Sequence, residues 1–218
     1  MHFDFLIEDL SGKKMLELLL PKLLNNDYSY KIHSYKGVGH LPKNLNSIPD
    51  PSTRVLLNQL PRLIQGFGNT YQGYGDNFSA ILIIIVDLDS KDKDNFLKEL
   101  NQVLEDCSPK PKTKFCLAIE EGEAWFLGDT KAITKAYPIV KKNILSKYTP
   151  DSICGTWETL ADAVYSGGVV KLKKKGKSEI GKEKSNWAKN ITPHMNINAN
   201  KSPSFCYFRE MLIHLTNF

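Results

Sequence analysis

Two aspartates at spacing i, i+2, Asp87 and Asp89, close an unbroken apolar run, Ala80-Ile-Leu-Ile-Ile-Ile-Val86. In an extended chain residues i and i+2 share a face, so both carboxylates are expected to project together from the strand end. Neither has an adjacent basic residue. Carboxylates held close together repel, and a divalent cation relieves that repulsion most readily. Two more acidic signals accompany the pair: Glu8 behind Phe3–Ile7, and Glu120, Glu121 and Glu123 behind Lys114–Ile119. If the three strand ends meet, Glu8, Asp87, Asp89, Glu121 and Glu123 form one oxygen-only cleft, which favours Mg2+ or Mn2+ over zinc. Two such ions bracketing a phosphodiester activate water and stabilise the leaving oxygen. The plainer alternative for Asp87 and Asp89 is that one caps the next helix and the other is solvated.

The elements that must position these acids emerge from periodicity. A seven-residue, mostly β-branched run reads as a strand buried on both faces, the habit of a parallel sheet covered by helices. Its carboxyl end is where open α/β sheets hold ligands. Phe3–Ile7 predicts a first strand, and Leu16, Leu19, Leu20, Leu23 and Leu24 a helix after it, with Ser11 as N-cap and a kink or a new turn at Pro21. Tyr28–Tyr35 alternates as a half-exposed strand. Gly37–Ser52 reads as a loop, Arg54–Ile64 as a helix that Pro61 compromises, and the glycine-bearing stretch Gly66–Asn77 as a connection. Phe96, Leu97, Leu100, Val103 and Leu104 predict a helix that Pro109 and Pro111 stop, and Lys114–Glu120 a second buried strand. Alternation of strand and helix argues for an α/β fold with a mostly parallel, right-handed βαβ sheet. Beyond Asp129 the chain turns basic and helical: Thr130–Tyr148, Thr156–Tyr165 with Thr156 as cap, and Pro203–Leu215 with Phe205, Phe208, Met211, Leu212 and Leu215 inward. The expected organisation is an α/β domain over 1–129 and a helical, lysine-rich extension over 130–218 packed on it.

Among 218 residues, 41% are hydrophobic and 24% charged, ordinary for a water-soluble fold with a core that needs no disulfides. The four cysteines, Cys107, Cys116, Cys154 and Cys206, form no CxxC and predict neither a zinc ribbon nor a disulfide framework. Such scattered cysteines fit a reducing cytoplasm, the expected location; Met1-His-Phe-Asp-Phe-Leu-Ile-Glu8 lacks the features of a signal peptide, and no run is long enough to span a membrane. The net charge of +5 is concentrated in Lys171, Lys173, Lys174, Lys175, Lys177, Lys182 and Lys184. Residues 166–186 lack apolar periodicity, so this segment is either a solvated loop or a track for a phosphate backbone.

The order Glu8, Ser11-Gly-Lys-Lys with a leucine helix, then Asp87-Leu-Asp89, resembles the TOPRIM fold of topoisomerases, DnaG-type primases and OLD-family nucleases. Ala118-Ile-Glu-Glu-Gly-Glu-Ala-Trp-Phe-Leu-Gly-Asp129 resembles the Glu-x-Glu-Ala-Trp signature of small stand-alone TOPRIM-like proteins of bacteria, several encoded beside ABC/SMC-type ATPases in anti-phage defence loci. The resemblance covers residues 3–130, with an echo at Ser202-Pro-Ser-Phe205. It implies a metal-dependent nuclease in which Glu8 is general acid/base or metal ligand, Asp87 and Asp89 hold Mg2+ or Mn2+, and Glu121 and Glu123 are further ligands. The implied partners are nucleic acid, DNA before RNA, bound through Lys171, Lys173, Lys174, Lys175 and Lys177, and an ATPase; self-association stays open. Two departures, Asp9 where a glycine is common and Gly122 where a bulkier residue is common, point instead to a non-catalytic docking or sensor subunit.

Three tryptophans remain. Trp125 and Trp157 are expected in the core, Trp187 less strongly so because it adjoins the lysines. The five histidines show no metal-ligand spacing, and Gly66, Gly68, Gly73 and Gly75 form no phosphate-binding glycine motif.

Overall fold

The computed structural model describes residues 1–37, 39–42, 50–75, 78–153 and 155–216. Much of the stretch read as a loop at Gly37–Ser52 (38 and 43–49), the end of the Gly66–Asn77 stretch (76–77) and Cys154 lie outside the described residues. The chain divides into two units, one of Met1–Lys13, Asn25–Val86 and Lys91–Leu117, the other of Lys14–Leu24, Asp87–Ser90 and Ala118–Phe218.

The first unit is built on an all-parallel four-stranded sheet flanked by helices, as the apolar runs predict. Strands β1 (His2–Ile7), β2 (Ser29–Ser34), β3 (Ala80–Asp87) and β4 (Thr113–Ala118) lie in the order β2-β1-β3-β4. β1 pairs with β2 from His2–Ser29 to Ile7–Ser34, and with β3 from His2–Ala80 to Ile7–Ile85. Ile81–Val86 are buried on both faces because the strand is interior to the sheet. After β2 the chain returns past β1 to β3, so the order reverses between β1 and β3. The carboxyl ends of the strands at that reversal are where such sheets bind ligands.

Helix α1 (Leu10–Leu23) starts in this unit. Asp9, not Ser11, caps it: the Asp9 carboxylate accepts from the Gly12 N–H at 2.7 Å and from the Ser11 hydroxyl at 2.5 Å. Asp9 thus satisfies the helix start. Pro21 lies in the last turn and the helix runs on to Leu23. The Arg54–Ile64 helix is displaced: α2 spans Leu60–Gly73, with Pro61 in its first turn, where a missing N–H costs nothing. The glycines of 66–73 are therefore helical. Gly68 permits close packing, since a Cβ there would come 2.6 Å from the Pro109 carbonyl oxygen. Helix α3 (Lys93–Asp106) is capped by Asp92, which accepts from the Asn95 N–H.

One acid is embedded in this sheet. Asp4, mid-β1 and buried, accepts from Tyr71 Oη at 2.8 Å and lies 2.7 Å from His33 Nε2 and 3.3 Å from His2 Nε2. A buried carboxylate is tolerated because its oxygens are satisfied in this way.

The second unit is helical: α4 (Glu123–Leu127), α5 (Thr130–Ala136), α6 (Lys142–Leu145), α7 (Thr156–Val164), α8 (Gly168–Lys174), α9 (Lys177–Ile191) and α10 (Pro203–Thr216). Residues 168–191 are thus mostly helix, and the loop reading of 166–186 is corrected. The lysines hide a helical period of Ile180, Lys184, Trp187, Ala188 and Ile191, whose last three members are buried. On α10, Phe205, Phe208, Met211, Leu212 and Leu215 are buried as the spacing requires. Thr156 is the first residue of α7, not its cap; Gly155, in the left-handed region, precedes it.

The tryptophan-bearing segment and the echo near the C-terminus bind one another. Trp125 Nε1 donates to Ser204 Oγ at 3.0 Å and its ring stacks on Phe208 at 5.0 Å. Asn200 Nδ2 donates to the Trp125 carbonyl at 2.7 Å, and the Lys201 N–H to the Gly128 carbonyl at 2.9 Å. A Cβ at Gly128 would sit 2.7 Å from the Ser202 nitrogen, so only glycine allows the two segments to meet. Asp129 accepts from the N–H groups of Ala132 and Asn196, and Asp151 from Ser202 Oγ and the Ser204 N–H. Both are structural acceptors.

Candidate functional site

β3 ends at Asp87, and the chain then turns alongside the segment after β4. The Leu88 N–H donates to the Ala118 carbonyl and the Asp89 N–H to the Glu120 carbonyl, both at 2.9 Å. Asp89 and Glu120 both take positive φ, 51° and 59°. Regular strand geometry therefore ends at Asp87, and the alternation from which a shared face was expected does not extend to Asp89. Asp87 is half-buried and Asp89 exposed.

With its backbone held by Asp89, Glu120 turns its side chain to the start of α7. Its carboxylate accepts from the N–H groups of Gly155 and Thr156, both at 2.9 Å, and from the Thr156 hydroxyl. An anion at a helix N-terminus is a stable arrangement, which makes Glu120 a cap for α7. Gly122 lies against Asp87, whose Oδ1 would be 3.9 Å from a Cβ there. Glu121 and Glu123 flank Gly122, and both meet one cation: Lys184 Nζ is 3.4 Å from Glu121 Oε2 and 3.2 Å from Glu123 Oε2. The side chains are 17% exposed for Lys184, 20% for Glu121 and 5% for Glu123, so solvent screens the contacts little.

The electrostatics reflect this grouping. Burial works against the charge on Lys184, but Glu123, Glu121 and Asp87 outweigh it and hold the ammonium well above the usual lysine value. Burial pushes the Glu121 carboxyl up to about 7; Lys184 opposes the rise, while Glu123 and Glu158 add to it. Burial is thus the main reason Glu121 holds its charge less firmly than an ordinary carboxylate, despite the ammonium beside it.

Asp87, Glu121 and Glu123 are thus brought together, with Lys184 among them. Asp89 stands at the exposed end of the turn. Glu8 belongs to the first unit, where it follows β1 and its carbonyl accepts from the Gly37 N–H at 2.7 Å. Lys184 falls in the segment read as either a solvated loop or a track for a phosphate backbone, and neither reading includes its contact with the acids. Its position on the inward face of α9, four residues after Ile180 and three before Trp187, was the available signal. Lys171, Lys173, Lys174, Lys175 and Lys177 are exposed. Lys173 pairs with Glu158 at 3.0 Å and lies 5.3 Å from the Trp157 ring; Lys175 lies 5.5 Å from the Tyr165 ring. The tryptophan expectation is partly reversed: Trp187 is buried, whereas Trp157 is half-buried and lies 5.8 Å from Lys184 Nζ.

Carboxylates alone are the right donors for a hard divalent cation, and this cluster already holds a cationic group. That group is Lys184, however, and among the described residues no three His, Cys, Asp or Glu side chains are close enough to hold a metal ion. Mg2+ or Mn2+ fits the chemistry of these acids but not their spacing around the ammonium.

No helix of the described residues is long and apolar enough to cross a membrane. No curated protein and no solved structure matches the chain. Residues 7–213, which include β3, the acids, Lys184 and most of α10, match the family model described as Domain of unknown function (DUF4276), and the chain belongs to that family.

Proposed function

We propose that the protein is a TOPRIM-type hydrolase of nucleic-acid phosphodiesters, dependent on Mg2+ or Mn2+, with DNA preferred to RNA. The observation that supports the chemistry is the gathering of Asp87, Glu121 and Glu123 around Lys184 at the carboxyl end of β3. The choice of nucleic acid as substrate, an ABC/SMC-type ATPase as partner and anti-phage defence as setting rest on the resemblance at Glu8, Asp87, Asp89 and Glu121–Asp129.

In this reading Asp87, Glu121 and Glu123 would supply the oxygen ligands only once Lys184 withdraws, because with the ammonium among them they are not spaced to hold an ion. Glu8, after β1, is the further carboxylate that the resemblance assigns to such a site. What a divalent ion supplies at such a site is neutralisation of phosphate charge and polarisation of a phosphoryl oxygen. The exposed lysines of α8 and the start of α9 offer positive charge to a phosphate backbone.

The second reading, a non-catalytic docking or sensor subunit, is favoured by the same lysine: acids neutralised by their own chain need no metal. Calorimetric titration of the purified chain with manganese separates the two. Binding that Asp87→Ala abolishes supports the hydrolase; absence of binding at millimolar manganese supports the docking subunit.

A further inference from the structure

Trp157 differs from the other tryptophans. Trp125 and Trp187 are 0% and 1% exposed and belong to the core, whereas Trp157 is half-buried. Its position is fixed by the acid motif, because the Glu120 carboxylate binds the N–H groups of Gly155 and Thr156, the two residues before it. The next residues after Glu120 include Glu121 and Glu123, and the lysine that joins these two lies 5.8 Å from the Trp157 ring. One turn thus positions both the carboxylates and the indole.

Lys173 Nζ lies 5.3 Å from the same ring. An ammonium at this distance marks an electron-rich aromatic face. The Lys173 side chain is 54% exposed and is held by Glu158, itself 29% exposed. It can swing away at small cost, since exposed ion pairs contribute little. Beside it, Lys171, Lys174, Lys175 and Lys177 are exposed.

We propose that Trp157 is a stacking platform for an unpaired base, with Lys173 and its neighbours taking the adjoining phosphates, so that the acid cluster receives single-stranded nucleic acid. The proposal rests on the nucleic-acid reading above and adds the form of the substrate. An indole whose covering cation is exposed offers a π-face to any base, and the exposed lysines of α8 and the start of α9 offer charge to a backbone; this is how single strands are held without sequence preference. Bases inside a duplex are stacked on one another and present no free face. Plain packing of lysine stems on the indole is the competing account, and it predicts no effect on nucleic-acid binding.

The test is tryptophan fluorescence of the full chain in chelator at fixed low salt, so that binding is read without cleavage. The titrants are oligothymidylate, oligouridylate and a DNA duplex of equal length. Quenching is expected to saturate with the single strands and to need about tenfold more duplex. Trp157→Phe should keep the affinity within a few-fold, read by polarisation of a labelled strand. Trp157→Leu should lose about ten- to a hundredfold, the value of one stacked base. A preference for thymidylate or uridylate identifies DNA or RNA as the ligand. Unchanged affinity in a folded Trp157→Leu, equal affinity for duplex, or no binding at all overturns the proposal. If Trp157→Leu loses binding but the wild type cleaves nothing with manganese, the platform stands and the hydrolase reading falls. If the wild type cleaves and Trp157→Leu binds and cleaves like it, the reverse holds.

Discussion

Lys184 and Glu123 face each other across 3.2 Å, the first on α9 and the second at the start of α4, and both are largely shielded from water. The contact joins the acid motif to a helix that begins more than fifty residues later. A buried pair of this kind makes each partner a liability without the other.

Replacing the cation with an apolar chain of similar length exposes that liability. Lys184→Met should lower stability by about 3 kcal/mol in chelator, the cost of leaving buried carboxylates without their partner. Added manganese should restore part of the loss, because a ligand that binds the folded state stabilises it. Thermal melts with and without manganese check both; a variant that melts like the wild type would show that the contact holds nothing together.

Glu121 sets a pH dependence. Its folded-state carboxyl titrates at about 7 against an ordinary value of 4.5. A group raised in the folded state contributes stability below its unfolded value that is lost as pH rises through the folded one. Wild-type stability should therefore decline between pH 4.5 and 7, by on the order of 2 kcal/mol. Glu121→Gln should flatten that slope and be the more stable protein at pH 8, as read from urea unfolding at a series of pH values.

Asp4 works in the opposite sense. Burial alone would raise its carboxyl, but the hydrogen bonds from His33 and Tyr71 and the charges of His2 and His33 prevail and lower it from 3.8. Its contribution is present above pH 3.8 and is lost as pH falls through the depressed value. Asp4→Asn should cost roughly 1–3 kcal/mol at pH 7, by leaving Tyr71 and the histidines poorly matched. It should also change the acid limb of the unfolding curve.

Removing the Glu120 carboxylate should release the start of α7. Glu120→Ala is expected to cost about 2 kcal/mol, that of a strong helix cap. It should also shift the emission of Trp157, the half-buried tryptophan next to the released turn. Loss of stability with an unchanged spectrum would separate the cap from the placement of the indole.

The sheet was legible because Ile81–Val86 and Phe3–Ile7 have no other way to bury continuous apolar surface, and α10 because its five inward positions keep strict helical spacing. Other features were obscured by composition. The glycines of 66–73 read as a connection because Gly68 is needed for contact with Pro109, which only the folded chain shows. Lys184 was hidden in a lysine-rich run, where charge masked the period of Ile180, Trp187, Ala188 and Ile191. Asp87, Glu121 and Glu123 were legible as acids at or after strand ends. Their sharing of an ammonium was not, because pairing across sixty residues leaves no local pattern. The end of strand geometry at Asp87 goes with the left-handed backbone at Asp89, a conformation its side chain only weakly favours.

The most direct measurement is cleavage of an end-labelled single-stranded oligonucleotide in millimolar manganese by the wild type and by Asp87→Ala, both verified as folded by circular dichroism. The account predicts metal-dependent cleavage by the wild type, abolished by chelator and by Asp87→Ala. Cleavage by Asp87→Ala at the wild-type rate, or none by the wild type with or without an ATPase partner, would contradict it.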